Sequence, residues 1–214
     1  MRSSVTTIPQ GVSIPHLRRP DAVHHGGVAD LAPGALTGRL LVASPLLDEE
    51  TFRRSVVLVL DHDGDGALGV ILNRPSRMPV AEVLPDWHDV TTEPCVLYRG
   101  GPVGPDSAVA VARMRSGPVA GLRPVHGSFA VVDLDGSPEQ TAAATTGLRV
   151  YAGYAGWSTG QLEDEIVGGS WFVVEADPAD PFTDHPDRLW RSVLRRQGGE
   201  LAFLHTYPDD PHDN

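Results

Sequence analysis

Ser55-Val56-Val57-Leu58-Val59-Leu60, then Asp61-His62-Asp63-Gly64-Asp65-Gly66, then Ala67-Leu68-Gly69-Val70-Ile71-Leu72 is the stretch whose reading decides the fold. The outer runs are apolar and rich in β-branched side chains, which pack well on a pleated surface. The middle six are aspartates, glycines and a histidine, with the turn-forming types dominant. The three parts together predict an antiparallel hairpin. Two other readings of the same residues fail against it. Gly64-x-Gly66-x-x-Gly69 has the spacing of a dinucleotide-binding turn, which requires a following helix to aim its N-terminus at the pyrophosphate. Here Val70-Ile71-Leu72 continues as a strand. Asp61-x-Asp63-x-Asp65-Gly66 opens like a calcium loop, but position twelve is Leu72 where a bidentate glutamate belongs, and the flanks are strands rather than helices.

Outward from the hairpin, Leu36 to Ala43 reads as a strand broken by Pro45. Asn73-Arg74-Pro75 ends the second hairpin strand, and Pro79 to Leu84 reads as a short helix stopped by Pro85. Val96 to Tyr98, Ala108 to Met114 and Ser128 to Leu134 are further strands, the first two flanking the loop Gly100-Gly101-Pro102-Val103-Gly104-Pro105. Ser137-Pro138-Glu139-Gln140 carries a hydroxyl N-cap, a proline at the first helical position and glutamine at the third, so a helix is predicted to about Thr146. Leu148 to Ala152 and Trp171 to Glu175 read as strands, Pro186 to Gly198 as a helix with Leu189, Val193 and Leu194 on its apolar stripe, and Leu201 to Leu204 as a last strand. Strands outnumber helices and do not alternate with them, which selects α+β over a doubly wound α/β sheet.

The 214 residues are 41% hydrophobic, enough for one domain with a proper core. Residues 1–34, rich in proline, glycine and histidine without periodicity, are expected to be a disordered tail. Residues 35–205 form the single domain and 206–214 an acidic tail. The pair His24-His25 lacks partner ligands, so no metal site is assigned, and no cofactor is expected. All 17 basic residues are arginine, and the formal net charge is -11. That balance argues against a broad phosphate-tracking surface for nucleic acid or anionic membrane. No apolar run nears the roughly 20 residues that span a bilayer, and no secretory h-region is visible. The lone Cys95 excludes an internal disulfide and suits a reducing compartment, so a cytoplasmic address is expected, with Cys95 as a buried structural thiol.

Gly153-Tyr154-Ala155-Gly156-Trp157-Ser158-Thr159-Gly160-Gln161-Leu162-Glu163-Asp164-Glu165-Ile166 is the densest run of unusual residues. It reads as a glycine-rich turn entering a short helix, with Ser158 as N-cap, Gln161 at the capping-box position and Gly168-Gly169 as the stop. Gly156-x-Ser158-x-Gly160 has the composition of a nucleophile elbow, with Asp180, Asp184 or Asp187 and then His205 downstream in hydrolase order. Against a hydrolase stand the missing strand–helix repeat and the sufficient role of Ser158 as a cap. Glu163 and Glu165, two apart, point to different helix faces and cannot act as a pair, whereas Gln161 and Glu165 share a face beside Tyr154 and Trp157. Trp157 and Trp171 read first as core anchors.

Gly38-x-Leu40-Leu41-x-Ala43-x-Pro45, Phe52-x-x-Ser55-Val56, Asn73-Arg74-Pro75, Gly100-Gly101-Pro102-Val103, Gly153-Tyr154-Ala155-Gly156-Trp157, Gln161-Leu162-Glu163-x-Glu165-Ile166 and Trp171, in that order, resemble the YqgE/AlgH family of small bacterial proteins, from about Leu36 to Gly198. The resemblance implies an α+β fold whose split, antiparallel-rich sheet forms a partly closed pseudo-barrel with a few short flanking helices. It implies no agreed catalytic residues, and it brings a family label as transcriptional regulators of exopolysaccharide synthesis. In that family the positions of Ser158 and Thr159 vary. This chain departs from it in its long N-terminal tail and in Gly169, where many members carry asparagine.

The expectation is therefore a non-catalytic cytoplasmic binding or regulatory protein for a small ligand or protein partner. Its working surface would gather Asn73, Arg74, Gly100, Gly101, Tyr154, Trp157, Gln161 and Glu165, the polar and glycine-bearing ends of strands. The alternatives are a serine hydrolase using Ser158 and a DNA-binding regulator using Arg188, Arg191, Arg195 and Arg196 on the last long helix.

Overall fold

A computed structural model describes residues 34–115, 117 and 119–208. The expected N-terminal tail to residue 33, His24-His25 within it, and the last six residues of the acidic tail lie outside the described residues. In chain order the strands are β1 Arg39–Ala43, β2 Val56–Asp63, β3 Gly66–Ile71, β4 Pro75–Pro79, β5 Val96–Arg99, β6 Val103–Met114, β7 Leu122–His126, β8 Phe129–Val132, β9 Thr145–Ser158 and β10 Trp171–Glu175. The helices are α1 Val80–Val83, α2 Pro138–Ala144, α3 Gln161–Val167, α4 Leu189–Gln197 and α5 Gly199–Phe203.

The hairpin forms as its residues predict. β2 and β3 pair antiparallel, and Asp63 accepts the Asp65 N–H at 2.8 Å to close the turn. From this pair the sheet grows in the order β10-β1-β2-β3-β9-β6-β8-β7, with β4 on β5 and β5 parallel to β9. Every other pairing is antiparallel, and the sheet curls into a half-barrel of α+β type. Inward-facing Leu40, Val42, Leu58, Val70, Val111, Phe129 and Tyr151 fill the concave side, with Leu189, Trp190, Val193 and Leu194 of α4 packed into the same core. A second cluster, with Leu41, Val57, Val59 and Ile71, lies under α3, and a third joins β6, β8 and β9 to Val80 and Trp87.

Arg149 is wholly buried. A buried cation needs partners, and it finds the carbonyls of Glu93 (2.8 Å), Pro181 (3.0 Å) and Thr183 (2.9 Å), with its guanidinium 4.4 Å from the Tyr98 ring centre. Burial pushes the neighbouring Tyr98 and Tyr151 hydroxyls above their ordinary pKa.

Several expected elements change. Gly153 to Gly156 is no turn, because β9 runs unbroken for 14 residues. At Gly153 it admits a crossing segment: a side chain there would meet the Gly101 carbonyl at 2.7 Å, and one at Gly100 or Gly101 would collide with the backbone of Gly153 or Tyr154. Leu201 to Leu204 is helical, since Leu201 and Leu204, three apart, both turn toward the core. β4 and β7 lack strand-like sequence and were not expected. Pro85 begins a 3₁₀ segment, Pro85–Val90, after α1 ends. Ser137 caps α2 as predicted, accepting from Gln140 N–H at 3.2 Å, but Thr145 already belongs to β9. Cys95 is only half-buried, its thiol directed to the Thr91 carbonyl; burial and then Glu93 raise its pKa.

Candidate functional site

The run that looked most like a site is consumed by its own hydrogen bonds. The tight turn after β9 puts Gly160, at φ +75°, in the N-cap position of α3, so Ser158 is not the cap. Gln161 reaches back instead, its Oε1 accepting from Ser158 N–H (3.1 Å) and Ser158 hydroxyl (3.2 Å). Gln161 Nε2 donates to Glu165 Oε1 at 3.0 Å. Glu165 Oε2 accepts the indole N–H of Trp157 at 2.9 Å and of Trp171 at 2.8 Å. Phe52 packs on both indoles, 6.3 and 5.5 Å between ring centres. Two residues earlier, about half a helix turn away, Glu163 faces the other way and takes buried His62 Nε2 at 2.8 Å. The sequence reading missed His62 by placing it in a turn; β2 extends through it with Asp61 and Asp63 outward and His62 inward.

At the far end of β3 the chain builds something different. Asn73 is buried, with its Oδ1 accepting Val56 N–H at 3.0 Å and its Nδ2 donating to the Arg54 carbonyl at 2.9 Å. That grip holds Arg54 at φ +54°, a backbone conformation uncommon outside glycine. Arg54 then lies over the Trp190 ring, 4.6 Å from its centre, while the Trp190 N–H is donated to the Ala43 carbonyl at 2.8 Å. Around them opens a cleft of about 420 Å³ lined by Arg53, Arg54, Arg74 and Arg191, by Asp48, Glu50 and Asp187, and by Asn73 and Trp190. Arg74 donates to the carbonyls of Asn73 (3.3 Å) and Arg53. Burial and then nearby Arg99 lower its pKa, so the site disfavours its charge.

Residues 40–202 match the AlgH-like family, DUF179. The chain belongs to the AlgH-like family. It is 53% identical over 185 residues to a UPF0301 protein of Streptomyces coelicolor, covering 84% of this chain and 96% of that one. A Mycobacterium tuberculosis UPF0301 protein is 46% identical over 187 residues, covering 86% and 93%. Among solved structures, protein DIP2367 of Corynebacterium diphtheriae superposes with a TM-score of 0.77 at 34% identity, over 85% of this chain and 95% of its own. The solution structure of the AlgH protein of Pseudomonas aeruginosa gives 0.60 at 27%, over 86% and 100%.

In this AlgH-like chain the expected single surface divides. Asn73 and Arg74 belong to the cleft, whereas Trp157, Gln161 and Glu165 lie beside the hairpin turn, where Ala67 pairs with Trp157. Between Ala67 and Asn73 lie six steps of extended chain, roughly 20 Å. Gly100 and Gly101 are crossing points of the backbone, and Tyr154 packs against the half-barrel core. The Ser158 hydroxyl meets Gln161 and, among the described residues, no histidine. Of the arginines on and beside α4, Arg196 is bound bidentately by Asp180 (2.6 and 2.5 Å) and Arg191 donates to the His205 and Tyr207 carbonyls. Arg188 also pairs with Asp187 at 3.8 Å, so three of the four have a partner within the chain. No helix among the described residues is long and apolar enough to cross a membrane.

Proposed function

We propose that this AlgH-like protein is a non-catalytic cytoplasmic binding and regulatory protein whose ligand is a small anion held in the arginine cleft. The observation that carries this reading is Arg74. It is half-buried, its hydrogen bonds run to backbone carbonyls, it makes no ion pair among the described residues, and a second cation stands nearby. A carboxylate or phosphate ligand would relieve that situation, and the planar guanidinium suits bidentate binding of either. Asn73 serves by fixing the Arg54 backbone, and the Trp190 face supplies a rigid floor.

The test is thermal denaturation against inorganic phosphate, citrate, mononucleotides and short duplex DNA. A ligand at a hundredfold excess over its Kd stabilises by about 2.7 kcal/mol, a rise of several degrees in Tm for a domain of this size. An anion should produce that rise, and Arg74→Gln, still folded, should abolish it. A rise unchanged in Arg74→Gln would refute the cleft as the site, and a response to DNA alone would favour the DNA-binding alternative.

A further inference from the structure

The second cation beside Arg74 is Arg99, the last residue of β5. The pairing of Pro75 with Tyr98 puts Arg74 opposite Arg99, and the Arg99 N–H is donated to the Arg74 carbonyl at 2.8 Å. Residues facing each other on neighbouring strands are about 5 Å apart and send their side chains to the same face of the sheet. Tyr98, one residue earlier, is wholly buried, whereas Arg99 is exposed. Two guanidiniums thus stand side by side, one half-sunk in the cleft wall and the other in solvent beside it.

Like charges placed opposite one another disfavour the pairing of their strands, and the fold gives these two no way apart. Gly100, directly after Arg99, is fixed from both sides, donating to the Ala152 carbonyl and accepting from the Ile71 N–H at 2.8 Å each. Arg99 itself lies opposite Ala152 of β9, and Asn73, directly before Arg74, is gripped by both ends of its amide. Among the described residues neither arginine has a carboxylate partner, although the chain holds 28 acidic residues against 17 basic ones. The two carbonyls that Arg74 holds use two of its five N–H donors, and the Arg99 guanidinium has no bonded donor among the described residues. That leaves more donors than one carboxylate, with about four acceptor sites, can satisfy. Guanidiniums held at a fixed spacing suit an anion with two linked charged groups, because no rearrangement remains to be made when it binds.

We propose that the ligand of the cleft carries a diphosphate group, one phosphate taken by Arg74 and the next by Arg99. The proposal rests on the anion-binding reading above and names its ligand class, linked phosphates rather than a single phosphate or carboxylate. Arg74, partly out of water, decides whether an anion binds at all. Arg99, in solvent where charge is screened, decides between one phosphate and two.

Calorimetric titration of the full chain with inorganic phosphate, pyrophosphate, malonate and ADP separates this proposal from the reading beneath it. The parent should bind pyrophosphate about tenfold more tightly than phosphate, as one added charge-assisted pair would give. Arg99→Gln should erase that advantage while leaving phosphate affinity within about twofold of the parent, and Arg74→Gln should bind neither. Arg123→Gln removes an exposed arginine from β7, at the end of the sheet order, and should keep the advantage intact. ADP binding more tightly than pyrophosphate supports the proposal with a nucleotide as the source of the diphosphate; the reverse order supports it with the free anion. Equal affinity of the parent for phosphate and pyrophosphate, or equal losses in Arg99→Gln and Arg123→Gln, overturns the proposal and leaves a single-anion site standing. Malonate, two carboxylates joined by one carbon, overturns the assignment to phosphate if it binds more tightly than pyrophosphate. Binding that survives Arg74→Gln, or no binding of any of the four anions, overturns the proposal together with the reading beneath it.

Discussion

Under α3 a single carboxylate, Glu165, meets the edges of two indoles; in the cleft a guanidinium, Arg54, lies on the face of a third. An indole edge presents one N–H donor, so two edges and the Gln161 amide occupy both oxygens of the carboxylate. A ring face attracts a cation through its quadrupole without using any N–H of the guanidinium. Tryptophan beside charge is thus a fastening in one region and a platform in the other, and ring orientation decides which.

The comparison breaks most visibly at Glu165. Glu165→Ala leaves two indole N–H groups in a mostly apolar cluster without their acceptor, and about 3 kcal/mol of stability should go with them. In a calorimetric scan that lowers Tm by about 6–12 °C. Citrate affinity should be untouched in the folded protein, because the cleft draws nothing from Glu165. A Tm change under 2 °C would show that the carboxylate is not a fastening. Arg54 sharpens the other side with a smaller effect. Arg54→Ala keeps the positive φ and loses the stack on Trp190, and should cost about 1 kcal/mol in denaturant unfolding. Arg54→Gly loses the same stack but relaxes the backbone, so it should be the more stable of the two. The reverse order would mean that Asn73 imposes no strain. Smallest is Ser158→Ala, expected within 0.5 kcal/mol of the parent, as for surface changes in general. The parent should also take up no fluorophosphonate; labelling that Ser158→Ala removes would restore the hydrolase alternative.

What could be read from sequence follows the range of the forces involved. The β2–β3 hairpin, the start of α2, the glycine stop after α3 and the apolar stripe of α4 are written in neighbouring residues, and they form as read. β4 and β7 are different: Pro75-Ser76-Arg77-Met78-Pro79 and Leu122-Arg123-Pro124-Val125-His126 become strands only because β5 and β8 offer them an edge. Gly153 of β9 signals a turn locally, yet its cause lies in the chain crossing at Gly101. The cleft is the least local object of all. It joins residues 48–54, 73–74 and 187–191, and its sequence trace was limited to Asn73-Arg74 directly after an apolar strand and to the arginines around α4. His62 left a clearer trace, since the out-in-out alternation of Asp61, His62 and Asp63 marks a strand that continues past its apolar core.

β9 bonds to β6 along one edge and to β5 and then β3 along the other. Where both edges are bonded, at Tyr151 and Ala152, the strand has no cheap way to fray, so the amides there should exchange with solvent only when the whole domain opens, and they report the global free energy of unfolding. Exposed α5 and the segment leading to Pro208, by contrast, should exchange by small local openings. The two behaviours meet beside the cleft, whose lining comes from residues 48–54, 73–74 and 187–191 and which the releasable segment touches through carbonyls held by Arg54 and Arg191.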